Sequence, residues 1–165
     1  MNKKIGKVTF QQFLSKFPTV ELPITLENDS HFVFSKTNQP LNRLFMEEYI
    51  ALMEGSITDE FTEVVPCFSI PETYEFHAIV YWKASLMDYQ YILATFTKEG
   101  LPIARKVIGG TYSDGQTITQ SVSTIDSDWT IHIVTGQSAL GEQYDAAKST
   151  AMEVELLPDG HISEA

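Results

Sequence analysis

The side chains best suited to acid–base, metal or nucleophilic chemistry in this 165-residue chain are four histidines, one cysteine and 22 carboxylates. His31, His77, His132 and His161 show none of the close pairings of a zinc motif, and Cys67 alone cannot supply a thiolate cluster. No metal and no other cofactor is expected. Cys67 stands in Val-Val-Pro-Cys-Phe-Ser-Ile, an apolar setting without the cationic neighbour a reactive thiolate needs. Asp126-Ser127-Asp128 begins like a calcium loop. Trp129 and Thr130 then stand where a further oxygen ligand and a glycine are required. The acidic cluster Glu54, Asp59, Glu60 and Glu63 reads as a solvated loop. Gly136-Gln-Ser-Ala-Leu-Gly141 misses the spacing of a nucleophile elbow by one residue. Gly109-Gly110-Thr111 lacks the further glycines and the lysine of a phosphate loop. With 22 carboxylates some pair lies close in any fold, and nothing in their order selects one. No catalytic residue is assigned.

The other chemistry on offer is recognition. Tyr74, Tyr81, Trp82, Tyr89, Tyr91, Phe96 and Trp129 alternate with polar residues. Most such rings fill cores and pack across strands, but tyrosine and tryptophan also supply contact area at low entropic cost. The candidate binding residues are His77, Tyr81, Trp82, Tyr91, Trp129 and His132.

Charge narrows the partners. The formal net charge is −11, and it is uneven. Residues 1–50 hold six basic and five acidic side chains, and residues 51–165 hold five and 17. Such a field repels nucleic-acid phosphates and anionic lipid, keeps a protein soluble, and draws in basic proteins. The lysine-rich N-terminus lacks the unbroken apolar run of a signal peptide, because Lys7, Gln11, Gln12 and Lys16 interrupt it. No apolar run approaches the roughly 20 residues of a membrane span. A lone cysteine forms no intrachain disulfide. The expectation is a cytoplasmic protein with a protein partner, no nucleic acid, no membrane, and an open oligomeric state.

The elements that position these residues are read from period and punctuation. Thr9 caps a helix whose Phe10, Phe13, Leu14 and Phe17 share a face, and Pro18 ends it. Val20–Leu26 is extended and confined to an edge by Pro23, and Glu27–Ser30 is a polar turn. A second helix runs from about Pro40 to Met53, stopped by Gly55, and Ser56–Glu63 is a loop. From Val64 the period becomes two. Tyr74–Ala84 puts Phe76, Ala78, Val80 and Trp82 on one face and a mixed set on the other, as in a central strand covered on both sides. Tyr89–Thr97 and Leu101–Ile108 form a hairpin across Lys98-Glu99-Gly100. Gly109-Gly110 breaks the sheet, and Asp114-Gly115 turns it. Thr117–Ile125 and Trp129–Thr135 flank the turn Asp126-Ser127-Asp128. A looser segment covers Gly136–Lys148, and a last strand, Met152–Leu157, meets Pro158-Asp159-Gly160. The fold class is α+β, mainly β. It is a single domain over 1–165: an antiparallel meander, sandwich or open barrel-like, with two short N-terminal helices.

The stretch from Pro66 to Phe96, with KEGLPIARKVIGGTYSDG and STIDSDWTIHIV after it, resembles a group of small β-rich bacterial proteins over residues 64–160. The shared motifs are hairpin chemistry: Gly100, Gly110, Asp114-Gly115 and Asp126-x-Asp128. The resemblance implies the sheet and brings no catalytic or binding residue with it.

The reading placed first is a non-catalytic protein-binding module, for instance an immunity-type protein that neutralises a basic toxin. Two alternatives stay open. One is a hydrolase that joins carboxylates to His77 or His132, and the other is a carrier of a small molecule or lipid.

Overall fold

Residues 8–55, 63–139 and 149–164 are described by a computed structural model. Thr9 opens α1 (Phe10–Leu14) with a capping box: its hydroxyl accepts from the Gln12 N–H while the Gln12 side chain accepts from the Thr9 N–H. The spaced rings Phe10, Phe13 and Phe17 are all buried. The second expected helix is present as α3 (Arg43–Phe45), a π-helical turn (Met46–Ile50) and α4 (Ala51–Glu54), with Gly55 at φ 85 as its stop. Between them lies α2 (Ser30–Thr37), which begins at the last residue of the expected polar turn. None of its residues is buried, so it leaves no apolar stripe in the sequence for a periodicity argument to find.

The described strands are β1 (Ile24–Leu26), β2 (Glu63–Ser69), β3 (His77–Ser85), β4 (Asp88–Phe96), β5 (Pro102–Ser113), β6 (Thr117–Ile125), β7 (Thr130–Ala139), β8 (Thr150–Leu156) and β9 (Ile162–Glu164). They pair antiparallel in sequence order from β2 to β9, with β1 beside β6. The chain is therefore an antiparallel meander, and the sheet stays open. Three details depart from the sequence reading. Gly109-Gly110 does not break the sheet, because β5 runs through both glycines with a bulge that skips Ile108. Strand β7 continues through Gly136–Ala139. A short β9 follows the Pro158-Asp159-Gly160 turn. The expected loop at 56–62 and most of the looser segment, 140–148, lie outside the described residues.

The meander folds over at β5. That strand pairs with β4 along its length but with β6 only through Gly110–Ser113. The half β6–β9 then lies across the half β2–β5. Leu26, Ile125, Ile131, Ile133 and Val154 pack with Phe68, Phe76, Val80, Tyr91 and Leu93 in one core between the halves. The Thr95 hydroxyl donates to the Gly160 carbonyl at 2.6 Å, and Lys106 pairs with Glu164, so both contacts tie the halves together. A second core lies on the outer face of the first half. There Ile79, Tyr81, Ile92, Ala94 and Phe96 meet Phe10, Phe13, Phe17, Phe45 and Ile50 of the helices. Strand β3 is thus covered on both faces, as its mixed pattern predicts.

The edge at β2 is blunted. Pro66 has no N–H to offer, the Asn38 amide donates to the carbonyls of Pro66 and Cys67 at 2.7 and 2.9 Å, and the Ser69 N–H donates to Pro18.

Candidate functional site

The candidate binding residues do not converge. Tyr81 is fully buried beneath the helices, and its hydroxyl donates to Glu54. The Glu54 side chain is only 4% exposed and also accepts from Lys83 Nζ at 2.8 Å and from Arg105 Nε and Nη2, both at 2.8 Å. Burial alone raises a carboxyl pKa. Here the hydrogen bonds from Arg105, Lys83 and Tyr81 together outweigh burial and hold it down to about 2. This cluster clamps the end of α4 to β3 and β5, and every member is engaged within it.

Trp82 is 6% exposed, with its indole stacked between His31 at 3.9 Å and Tyr89 at 5.6 Å. Burial lowers the pKa of His31 there. Tyr91 is buried and donates to the Glu27 carbonyl at 3.0 Å, and burial pushes its phenol pKa up. Cys67 is fully buried with its thiol pKa also raised by burial, as its apolar setting predicts. These side chains hold the fold together.

His77, Trp129 and His132 reach the surface at three separate places. His77 lines an open cleft of about 450 Å³ with Gln11, Leu14, Ile70, Glu72 and Tyr74. Burial, then the Lys98 charge, lowers its pKa. Trp129 adopts φ 68, packs edge-on against Phe76 at 5.8 Å, and lines a second cleft of about 270 Å³ with Glu21, Leu22, Pro71, Glu72 and Ser127. Glu72, at φ 65, stands in the wall between the two clefts.

His132 lies on the outer face of β6–β8, and its surroundings follow from register. Ile125, Ile131, Ile133 and Val154 point inward, so their sequence neighbours point out. Thr25, Thr124, His132 and Glu153 form one row across β1, β6, β7 and β8. The Thr25 and Thr124 hydroxyls meet at 3.0 Å. Val122, Val134 and Ala151 form the next row toward one end. Toward the other end, the Asp126 N–H donates to Thr130, which pairs with Glu155. The His132 Nε2 lies 2.7 Å from Asp126 Oδ2, and its Nδ1 lies 3.4 Å from Glu153 Oε1.

Among the described residues, the helices pack on the outer face of the first half. Compared with protein-family models, with curated proteins and with solved structures, the chain matches none. Its function is therefore argued from its own geometry.

The outer face of β6–β8 carries three carboxylates, Asp126, Glu153 and Glu155, at one end and two exposed valines in the middle. Asp128 adds charge in the adjoining turn, its pKa lowered by the Thr130 N–H donated to it. Over residues 116–165 the sequence holds eight acidic side chains and one basic one, Lys148. An imidazole between two carboxylates can pass a proton, but catalysis also needs a concave pocket to hold a substrate. His132 lines neither of the clefts described above. Among the described residues no group of three His, Cys, Asp or Glu side chains is placed to hold a metal ion. Among them, too, no helix is long and apolar enough to cross a membrane. What the face offers is an acidic, partly apolar surface.

The sequence reading reached two members of this region, His132 and Trp129. It missed Glu153, Glu155, Glu21 and Glu72, because exposed carboxylates carry no signal until register places them side by side. The spacing of Glu153 and Glu155, two apart in a strand, was the only hint that both face out.

Proposed function

We propose that the chain is a non-catalytic, cytoplasmic protein-binding module that docks a basic protein onto the outer face of β6–β8. The observation that carries this reading is the contrast between the two halves of one sheet. The helices bury the outer face of one half, while the outer face of the other presents carboxylates in register at one end, beside two exposed valines. An exposed sheet face that sets charge beside apolar residues has the composition of a transient interface. A net charge of −11 supports rapid, salt-sensitive association with a cationic partner. Neutralisation of a basic toxin is one concrete form of this role. The filled core between the halves favours this reading over a lipid carrier, and the His77 cleft, which Glu72 lines as its one described carboxylate, favours it over a hydrolase built on several carboxylates.

The test is capture from cells of the source at low salt, with the wild-type chain and a Glu153→Lys/Glu155→Lys variant side by side. The expected result is a basic protein retained by the wild type and lost with the variant. Recovery of no protein, or equal recovery by both chains, overturns the reading.

A further inference from the structure

We propose that the cleft beside Trp129 receives one arginine side chain of the basic protein partner, its guanidinium lying against the indole and between the carboxylates of Glu21 and Glu72. The proposal rests on the reading above and adds the chemistry that the partner must present.

Five features of the cleft lead to it. Its charged lining is anionic: Glu21 comes from the segment before β1 and Glu72 from the β2–β3 connection, and among the described residues no lysine or arginine lines it. Neither carboxylate has an ion-pair partner among the described residues. The remaining walls are Ser127, the indole of Trp129 and the apolar surfaces of Leu22 and Pro71. An indole face attracts a cation through its quadrupole, and apolar walls suit the methylene stem of a long basic side chain.

Size suits one long side chain. At about 270 Å³ the cleft falls below the usual range for small-molecule sites, roughly 300–1,000 Å³. Position points to the same partner. Trp129 directly follows the Asp126-Ser127-Asp128 turn that ends the acidic face, and Ser127 itself lines the cleft. A protein seated on that face therefore reaches the cleft within one footprint. Arginine fits better than lysine because its planar, weakly hydrated guanidinium stacks on an aromatic ring and forks toward two carboxylates at once.

The experiment follows the indole N–H of Trp129 by ¹H–¹⁵N NMR in the full chain at low salt. The probe is acetyl-Gly-Arg-Gly-amide, compared with the lysine peptide and with the citrulline peptide, which keeps the shape of arginine without its charge. The buried Trp82 indole is the internal control. The expected result is a saturable shift at Trp129 with the arginine peptide, a weaker one with lysine and none with citrulline. Glu21→Gln and Glu72→Gln each weaken binding by about threefold, and together by about tenfold. Both side chains are exposed, so these variants keep the fold, which an unchanged Tm verifies. The double variant also retains less of the captured partner than the wild type does. A silent Trp129, an equal shift with citrulline, or full binding by the double variant overturns the proposal. A silent Trp129 with a partner still captured on the acidic face overturns the cleft alone and leaves the docking reading standing.

Discussion

At Glu54 a nearly buried carboxylate faces two cations and a phenol, and the protonation state of this one group bears on stability. Its folded pKa is depressed from 4.5 to about 2. A depressed carboxylate stabilises the fold above its unfolded pKa, and that contribution is lost as pH falls through the folded value. Urea unfolding followed downward from pH 7 is expected to show stability falling between pH 4.5 and about 2. Glu54→Gln is expected to lower stability at pH 7 by about 2–3 kcal/mol, because it leaves Lys83 and Arg105 without their shared anion, and to flatten that acid limb. An acid limb that is the same in both chains contradicts this account. His31 acts in the same direction at higher pH. Burial against Trp82 disfavours its charged form, so its contribution is complete above the unfolded pKa of 6.5 and declines as pH falls below it. NMR titration of the His31 ring is expected to give a midpoint below 6.5. A midpoint at or above that value refutes the stacked, desolvated placement.

The elements turn on a few local devices. Strand β5 carries the fold-over of the sheet, and Gly110 within it sits at φ 136 with the Tyr89 carbonyl close by. A Cβ at this position would lie 1.9 Å from that oxygen, and no flexible side chain is there to give way. Gly110→Ala is therefore expected to cost about 3 kcal/mol or more. Gly115 also has a positive φ, 92, but a Cβ there meets nothing within 4 Å. Gly115→Ala is expected to cost only about 1 kcal/mol, from backbone strain alone. Chemical denaturation of the two variants separates these cases, and similar losses in both argue that β5 is not the tight point of the fold. The hairpins were legible because their turn residues carry conformational preferences of their own. In the Asp114-Gly115 turn the Asp114 carboxylate accepts from the Gln116 and Thr117 N–H groups at 2.8 and 2.7 Å. Helix α2 was not legible, because its residues cover the sheet edge without burying a stripe.

Across the whole molecule the asymmetry of the sheet organises the rest. The helices use the outer face of β3–β5 to bury a second core, and the proposed partner docks on the acidic half. If that face steers a cationic protein, raising ionic strength is expected to slow association by about tenfold or more, with a smaller effect on dissociation. Stopped-flow or surface-plasmon measurements with the captured partner test this. Glu153→Lys/Glu155→Lys is expected to remove most of the salt dependence. An association rate indifferent to salt places the contact elsewhere on the molecule.

Composition, charge and period two were enough to determine the antiparallel meander, the acidic excess, the inert Cys67 and the double cover on β3. Each is local, set by a residue type or by alternation along one segment. Which half of the sheet the helices cover, and which carboxylates become neighbours, was decided only by the tertiary structure. Those depend on register and on the fold-over at β5, which join residues far apart in the chain: Glu54 to Arg105, His31 to Trp82, and Glu21 to Glu72 and Trp129. Contacts of that range come from the packing of whole elements, and no short stretch of sequence encodes them.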